Sequence, residues 1–263
     1  MRAVALHADV IVFVSDVWQT TCTAVRAGHE GFLIDSPVYP EELRALPEVM
    51  EQAGFPVSGL LTTHGDWDHL LGRLAFPRAS LGCAESTAAR LAAEPGAAQR
   101  RLRAFDEEHY VDRRDPLALG SLQPLPVPGR VELGSSHEIE LHETSGHTAD
   151  GAAFLIPWVG VLVCGDYLSP VEIPMISSGG SLAGYVETLE RLAGLVERVE
   201  MVVPGHGGPL EPANARRLLE EDAAYLSALP TAGRATALPR NRATPAQRSI
   251  HAENVDRLQV PGH

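Results

Sequence analysis

Hydrophobic positions in the first third of the chain fall in short β-branched runs, Val10 to Val14, Thr20 to Arg26 and Gly31 to Asp35, the last two separated by Gly28-His29-Glu30. Runs of this length between turn residues predict strands, here an antiparallel meander. Over Glu41 to Ala53 the spacing changes, and Leu43, Leu46, Val49 and Met50 recur at the period of one helical face. Val57 to Thr62 is then almost continuously apolar and predicts a buried strand, so a β-α-β unit ends directly at His64. A short helical stretch follows Leu70, and Ala79 to Cys83 predicts a brief strand. Glu85 to Phe105, rich in alanine and arginine and broken at Pro95-Gly96, predicts one or two exposed helices. Prolines at 116, 124, 126 and 128 predict a long loop or insertion over residues 112–134, near any site the strands form.

A second strand-rich block follows, with runs at Glu138 to Glu143, Gly151 to Ile156 and Val159 to Cys164. Helical spacing covers Leu182 to Val196, Met201 to Val203 is a last short strand, and Pro212 to Leu229 is helical again. A Pro- and Arg-rich linker leads to Thr244-Pro245, an N-cap and first-turn proline for a final helix ending near Leu258. Strands and helices in one half, then strands and helices again, fit an α+β sandwich of two mixed sheets flanked by helices. The division read here is one domain over residues 1–229, with a linker and C-terminal helix over residues 230–263 packing on it.

Composition narrows the function classes. Apolar residues make up 44% of the 263 positions and charged residues 21%, the balance of a chain that folds. The formal net charge is −13 and every basic residue is an arginine. That balance disfavours a nucleic-acid partner and favours a small-molecule substrate. Cys22, Cys83 and Cys164 form no CxxC pair, so neither a disulfide framework nor a thiolate metal site is indicated. With no long apolar segment near Met1 and only a short run at Val10 to Val14, a cytoplasmic protein without a membrane partner is expected. A homodimer is left open.

The strongest chemical signal is Thr62-Thr63-His64-Gly65-Asp66-Trp67-Asp68-His69. Four of the six residues from His64 onward can bind a metal, and they follow a buried strand, where a loop lets side chains converge on one point. Three more polar residues, each preceded by glycine, stand at the ends of apolar runs: His147, Asp166 and His206. One strand-end histidine is ordinarily a hydrogen-bonded surface residue. Three in order after HGDWDH outweigh that reading.

The set resembles the metallo-β-lactamase superfamily, whose pattern is HxHxDH followed by a histidine, an aspartate and a final histidine, over roughly residues 4–228. The resemblance implies the αββα sandwich with the site at one edge between the sheets. It also implies two divalent metal ions, the first held by His64, Asp66 and His147, the second by Asp68, His69 and His206, with Asp166 bridging. Zinc is the default identity. Asp66 stands where the family usually has a second histidine, and this HxDxDH variant keeps iron and manganese open. A two-metal site implies a metal-activated hydroxide, with Asp68 orienting it or taking its proton. Tyr167, beside Asp166, is a candidate catalytic residue for reaching the substrate oxygen, against the plainer reading of a packed tyrosine.

The compact chain resembles the branch that includes lactonases and glyoxalase II enzymes, so hydrolysis of a small ester, lactone or thioester is expected. The alternatives are a phosphodiesterase or nuclease, against which the acidic balance counts, a β-lactamase, whose usual lysine is absent here, and a mononuclear-iron thiol dioxygenase. Arg234, Arg240, Arg242, Arg248 and Arg257 could hold an anionic acyl group or form a solvated face. His251, with Asn254 and Leu258 on one face of the last helix, could pack near the site mouth. His7, His29, His109, His137, His142 and His263 carry no assigned role.

Overall fold

The computed structural model describes residues 1–120 and 122–259, so His263 lies outside the described residues. Seven strands form one sheet in chain order: β1 (Arg2–His7), β2 (Val10–Val14), β3 (Thr21–Ala27), β4 (Glu30–Asp35), β5 (Gly59–Leu61), β6 (Leu81–Ala84) and β7 (Leu122–Leu125). Neighbours pair antiparallel from β1 to β4 and parallel from β4 to β7. Each parallel step needs a crossover, and helix α1 (Pro40–Gln52) supplies the first. Short α2 (Gly72–Ala75) lies in the second, and α3 (Glu85–Ala93) and α4 (Ala97–Glu108) in the third.

The other sheet holds β8 (Gly129–Leu133), β9 (His137–Glu143), β10 (Ala152–Ile156), β11 (Val161–Val163) and β12 (Met201–Val203), in the order β12-β11-β10-β9-β8. Its pairs are antiparallel except for parallel β11 and β12, which helix α5 (Leu182–Val196) connects. Helices α6 (Pro212–Ala232) and α7 (Pro245–Leu258) are the last helices of the described residues. Thr244 caps α7 by accepting a hydrogen bond from Gln247 N.

Burial on both faces explains why the central strands read as continuous apolar runs. On β2, Val10, Val12 and Val14 point between the sheets, where Ile34 and Leu61 meet Ile139, Leu141, Phe154 and Val163. Phe13 faces the other way, with Leu33 and Leu60, against Leu43, Leu46 and Met50 of α1 and Leu102 and Phe105 of α4. On the outer face of the second sheet, Leu155, Leu162 and Val202 pack under Leu189 and Leu192 of α5, Leu226 of α6 and Val255 of α7. The architecture is therefore αββα, two mixed sheets flanked by helices.

The structure departs from the sequence expectations at four places. Residues 112–134 are not one long loop, because they carry β7 and β8. Pro124 sits in β7, the edge strand of its sheet, where a missing N–H costs no ladder bond on the open side. Strand β1 has no counterpart among the predicted runs, since Arg2 to His7 pairs with β2 as a largely exposed edge. Segment 85–105 does form two helices, but α4 is not merely exposed: Leu102 and Phe105 enter the core. Arg242 is buried against Asp222 and Glu221, and Arg234 pairs with Asp256, so neither is free for an acyl group.

Candidate metal centre

The site lies where strand ends of both sheets meet. His64 to His69 follow β5, with Trp67–His69 forming a 3-10 turn, while His147 lies between β9 and β10, Asp166 after β11 and His206 after β12. Backbone bonds stitch the sheets together at this edge: Ala152 N donates to Thr63 O at 2.7 Å, and Thr21 N donates to Gly205 O at 2.8 Å. A β-bridge also joins Thr20 to His206. Close approach is what glycine allows at 205, since a Cβ there would collide with the Asp166 carboxylate. Gly146 has φ +112° and lies directly against the Tyr185 backbone, so His147 is delivered by a turn that a side chain would block.

All seven residues expected at the site come together. His64, Asp66 and His147 form one group, Asp68, His69 and His206 a second, and Asp166 a third with His64 and His69, the donor atoms within each group lying within 4.8 Å of one another. Asp166 faces both main groups: Oδ2 lies 3.6 Å from His64 Nε2, 3.3 Å from His147 Nε2 and 3.4 Å from His206 Nε2, while Oδ1 lies 3.1 Å from His69 Nε2. Asp68 Oδ2 lies 3.6 Å from His69 Nε2 and 3.5 Å from His206 Nε2.

The donor set fits divalent metal ions. In all four histidines Nε2 points into the cluster and Nδ1 points into the protein. His147 Nδ1 donates to Met175 O at 2.8 Å and His206 Nδ1 to Trp18 O at 3.2 Å. His64 Nδ1 meets Thr63 Oγ1 at 3.1 Å, and His69 Nδ1 lies 3.1 Å from Asp35 Oδ2. At His64, His147 and His206 an Nδ1 so engaged leaves the Nε2 lone pair free to ligate, whereas neither ring nitrogen of His69 has a hydrogen-bond partner among the described residues. His64 Nε2, His69 Nε2, His147 Nε2 and Asp166 Oδ1 are buried with no hydrogen-bond partner among the described residues. Orphaned donors and acceptors of this kind are rare in folded proteins, and a cation among them satisfies all four.

The carboxylates dominate the local electrostatics. Burial opposes charge on His206, yet Glu172 and Asp166 outweigh it and push its pKa up to about 10. At His147 burial is likewise overcome, by Asp66 and Asp166, to about 9. His64 moves the other way, lowered by burial and by His69 beside it. Burial raises the Asp66 carboxyl, but His147, His64 and Arg90 together hold it below the usual range.

Sequence reasoning missed several residues of the site. Asp35 accepts from Thr63 N at 2.8 Å and from Thr63 Oγ1 at 2.9 Å while facing His69, which links the Nδ1 sides of two histidines. It adopts φ +61°, an unfavourable conformation held by those contacts. An acid ending the apolar run Gly31 to Asp35 was the available signal. Glu172 shares a small cavity with His147 and Asp166, and burial raises its carboxyl. Trp18, 47% exposed, stands edge-on to Trp67 and Phe105, with its ring 6.5 Å from that of His206. No sequence pattern marked Glu172 or Trp18.

Tyr167 is placed differently from its expected catalytic role. Its buried hydroxyl donates to Ser145 O at 2.8 Å and accepts from His147 N at 3.1 Å, so it fixes the His147 turn from behind. His251 is also remote from the cluster chemistry, its Nδ1 lying 3.0 Å from the Tyr225 hydroxyl. Its helix still serves the site. Asn254 Oδ1 accepts from Ile176 N at 2.8 Å, Asn254 Nδ2 donates to Pro174 O at 2.7 Å, and Gln247 Oε1 accepts from Ile173 N at 2.7 Å. Those bonds hold the segment whose Met175 carbonyl orients His147.

With fold and site in view, comparison with known proteins identifies the class. The metallo-beta-lactamase superfamily model matches residues 15–206, and the chain belongs to that superfamily. No curated protein matches in sequence. Among solved structures, a metallo-beta-lactamase family protein from Thermus thermophilus is similar at 22% identity and TM-score 0.68, covering 87% of this chain and 82% of that one. The stereoselective inverting sec-alkylsulfatase of a Pseudomonas species is similar at 14% identity and TM-score 0.66, covering 86% of this chain and 42% of that one. A third protein, solved in a di-iron-bound form, is similar at 20% identity and TM-score 0.62, covering 79% of this chain and 97% of that one. At these identities the likeness is one of fold. Among the described residues no helix is long and apolar enough to cross a membrane.

Proposed function

We propose that this protein is a two-metal hydrolase of small esters, lactones or thioesters. The observation that supports it is Asp166, whose carboxylate lies within 3.6 Å of His64 and His147 of one group and of His69 and His206 of the other, so that it would be shared by two ions. His64, Asp66 and His147 would hold one ion and Asp68, His69 and His206 the other, with zinc the default identity. A bound pair of divalent ions supplies Lewis acidity to the attacked carbonyl and brings the pKa of water to about 7 in the best-known zinc cases.

The chain's own residues do the rest. Asp68 faces His69 and His206 through Oδ2 and would orient the attacking water and take its proton. Trp18, beside His206, offers an apolar surface for an acyl group and keeps bulk water from one flank. The carbonyls of Met175 and Trp18 accept from His147 Nδ1 and His206 Nδ1 and so set the tautomers of those rings, while Tyr167 holds the His147 backbone.

A phosphodiester substrate is disfavoured by the net charge of −13, and a β-lactam by the absence of lysine. A mononuclear thiol dioxygenase would use one group and leave the converging donors of the other without a cation. The test is elemental analysis of the purified full chain with a panel of lactone, thioester, β-lactam and phosphodiester substrates. Two equivalents of metal with lactone or thioester turnover is the expected result. One equivalent of iron with oxygen uptake on a thiol would overturn the hydrolase reading.

A further inference from the structure

We infer that Arg90 makes Asp66 act toward a metal ion as a single-oxygen donor of offset charge, and thereby sets the metal preference of the group formed by His64, Asp66 and His147. The inference rests on the two-metal reading above. A carboxylate in place of imidazole differs in two ways, adding a negative charge and offering a second oxygen. Arg90 answers both. Its Nη2 donates to Asp66 Oδ1 at 2.7 Å, which leaves Oδ2 as the oxygen facing His64 Nε2 at 3.8 Å and His147 Nε2 at 3.5 Å. An oxygen engaged by guanidinium is withheld from bidentate coordination, and arginine keeps its charge at any working pH.

Arg90 is itself held in place. Its side chain is 11% exposed, and Nη1 donates to Asp150 Oδ1 at 2.7 Å. Asp150 Oδ2 in turn accepts from Gly65 N at 2.9 Å, so the chain of bonds begins and ends on neighbouring residues of the HGDWDH segment. A Cβ at residue 65 would stand 3.2 Å from Asp150 Oδ2, so glycine leaves room for this approach. Arg101 Nη1, on a 44% exposed side chain, lies 3.6 Å from Asp66 Oδ1, too long for a hydrogen bond, so Arg90 is the guanidinium that engages that oxygen. Neither arginine belongs to the HxDxDH pattern. Both come from α3 and α4, which the sequence marked only as exposed helices.

The test uses the full chain, stripped with a chelator and titrated separately with Zn2+ and Mn2+ against a competing chromophoric chelator. Wild type is compared with Arg90→Met, Arg90→Lys, Asp66→His and the double variant Asp66→His/Arg90→Met. Freeing Oδ1 hardens the site, so Arg90→Met should lower the ratio of the Mn2+ to the Zn2+ dissociation constant for one ion by about tenfold. Arg90→Lys, which keeps the charge but cannot grip both carboxylates, should fall between, and it carries the test if Arg90→Met does not fold. With histidine at 66 there is no second oxygen to mask, so removing Arg90 should leave the ratio unchanged. Equal losses for both ions, or the same shift in both backgrounds, would overturn the inference and make Arg90 a strut for the Gly65 turn. A wild-type chain that takes up neither ion would instead overturn the two-metal reading itself.

Discussion

Replacing Tyr167 by phenylalanine removes one oxygen and leaves the ring packed 4.7 Å from Tyr185. The hydroxyl makes two buried bonds, to Ser145 O at 2.8 Å and from His147 N at 3.1 Å. Ser145 O keeps the Thr188 hydroxyl at 2.8 Å, so it stays satisfied. His147 N has no other partner among the described residues, and a buried N–H left unpaired costs about 1–3 kcal/mol, with roughly 1 kcal/mol more for the lost O–H bond. The expected destabilisation is therefore about 2–4 kcal/mol, or roughly 4–16 °C in Tm for a chain of this size. Because the loosened N–H belongs to a candidate ligand, metal affinity should fall by about tenfold. At saturating metal kcat should stay within about tenfold of wild type, since the hydroxyl has no place in the reaction. Thermal denaturation, metal competition and steady-state kinetics on the same preparations check all three. A loss of a thousandfold or more in kcat with unchanged Tm would refute the reasoning and return Tyr167 to the catalytic role its sequence position first suggested.

Other consequences are as direct. Asn254→Ala leaves Ile176 N and Pro174 O unpaired in the interior, which should cost about 3–5 kcal/mol and loosen the Met175 carbonyl behind His147, read as a lower Tm and weaker metal retention during dialysis. Asp166→Asn should abolish turnover and reduce bound metal while circular dichroism stays that of the folded chain, and full activity in that variant would count against the shared-carboxylate assignment. In protein stripped of metal, His147 and His206 titrate near 9 and 10, above the ordinary 6.5, so they carry protons at pH 7 that metal binding must displace. Calorimetry in two buffers of different ionisation enthalpy should then report proton release at pH 7, and metal affinity should rise with pH up to about 9–10. The sign for stability follows from the same shifts: the raised values stabilise the stripped protein below about pH 6.5, and that contribution is lost as pH climbs through 9 and 10. A stripped protein whose stability is flat from about pH 6.5 to 10 would contradict the carboxylate pairing.

Much of the fold was legible because its signals are local. The strand runs at Val10 and Gly31 and the helices at Leu182 and Thr244-Pro245 announce themselves through periodicity and capping, which depend on residues within a turn or two of each other. The prolines of residues 112–134 misled because proline forbids a central strand but not an edge strand, and edge position is a property of the assembled sheet. Tyr167 misled for a related reason. Adjacency to Asp166 in sequence says nothing about which way a ring turns once Ser145 and His147 come to lie behind it.

The candidate ligands themselves were written in the chain, since carboxylates and imidazoles clustered after apolar runs have few structural uses and many chemical ones. What the linear order could not contain is the surrounding layer: Asp35 between two histidines, Arg90 and Asp150 on Asp66, Trp18 against His206, and a C-terminal helix holding the segment that aims His147. These residues are ordinary by type, and their meaning comes only from distance. Ligand identity is a matter of which atoms a side chain carries, fixed by the covalent structure, whereas orientation, tautomer and charge balance arise from neighbours brought in across the sheets by burial of the three hydrophobic layers.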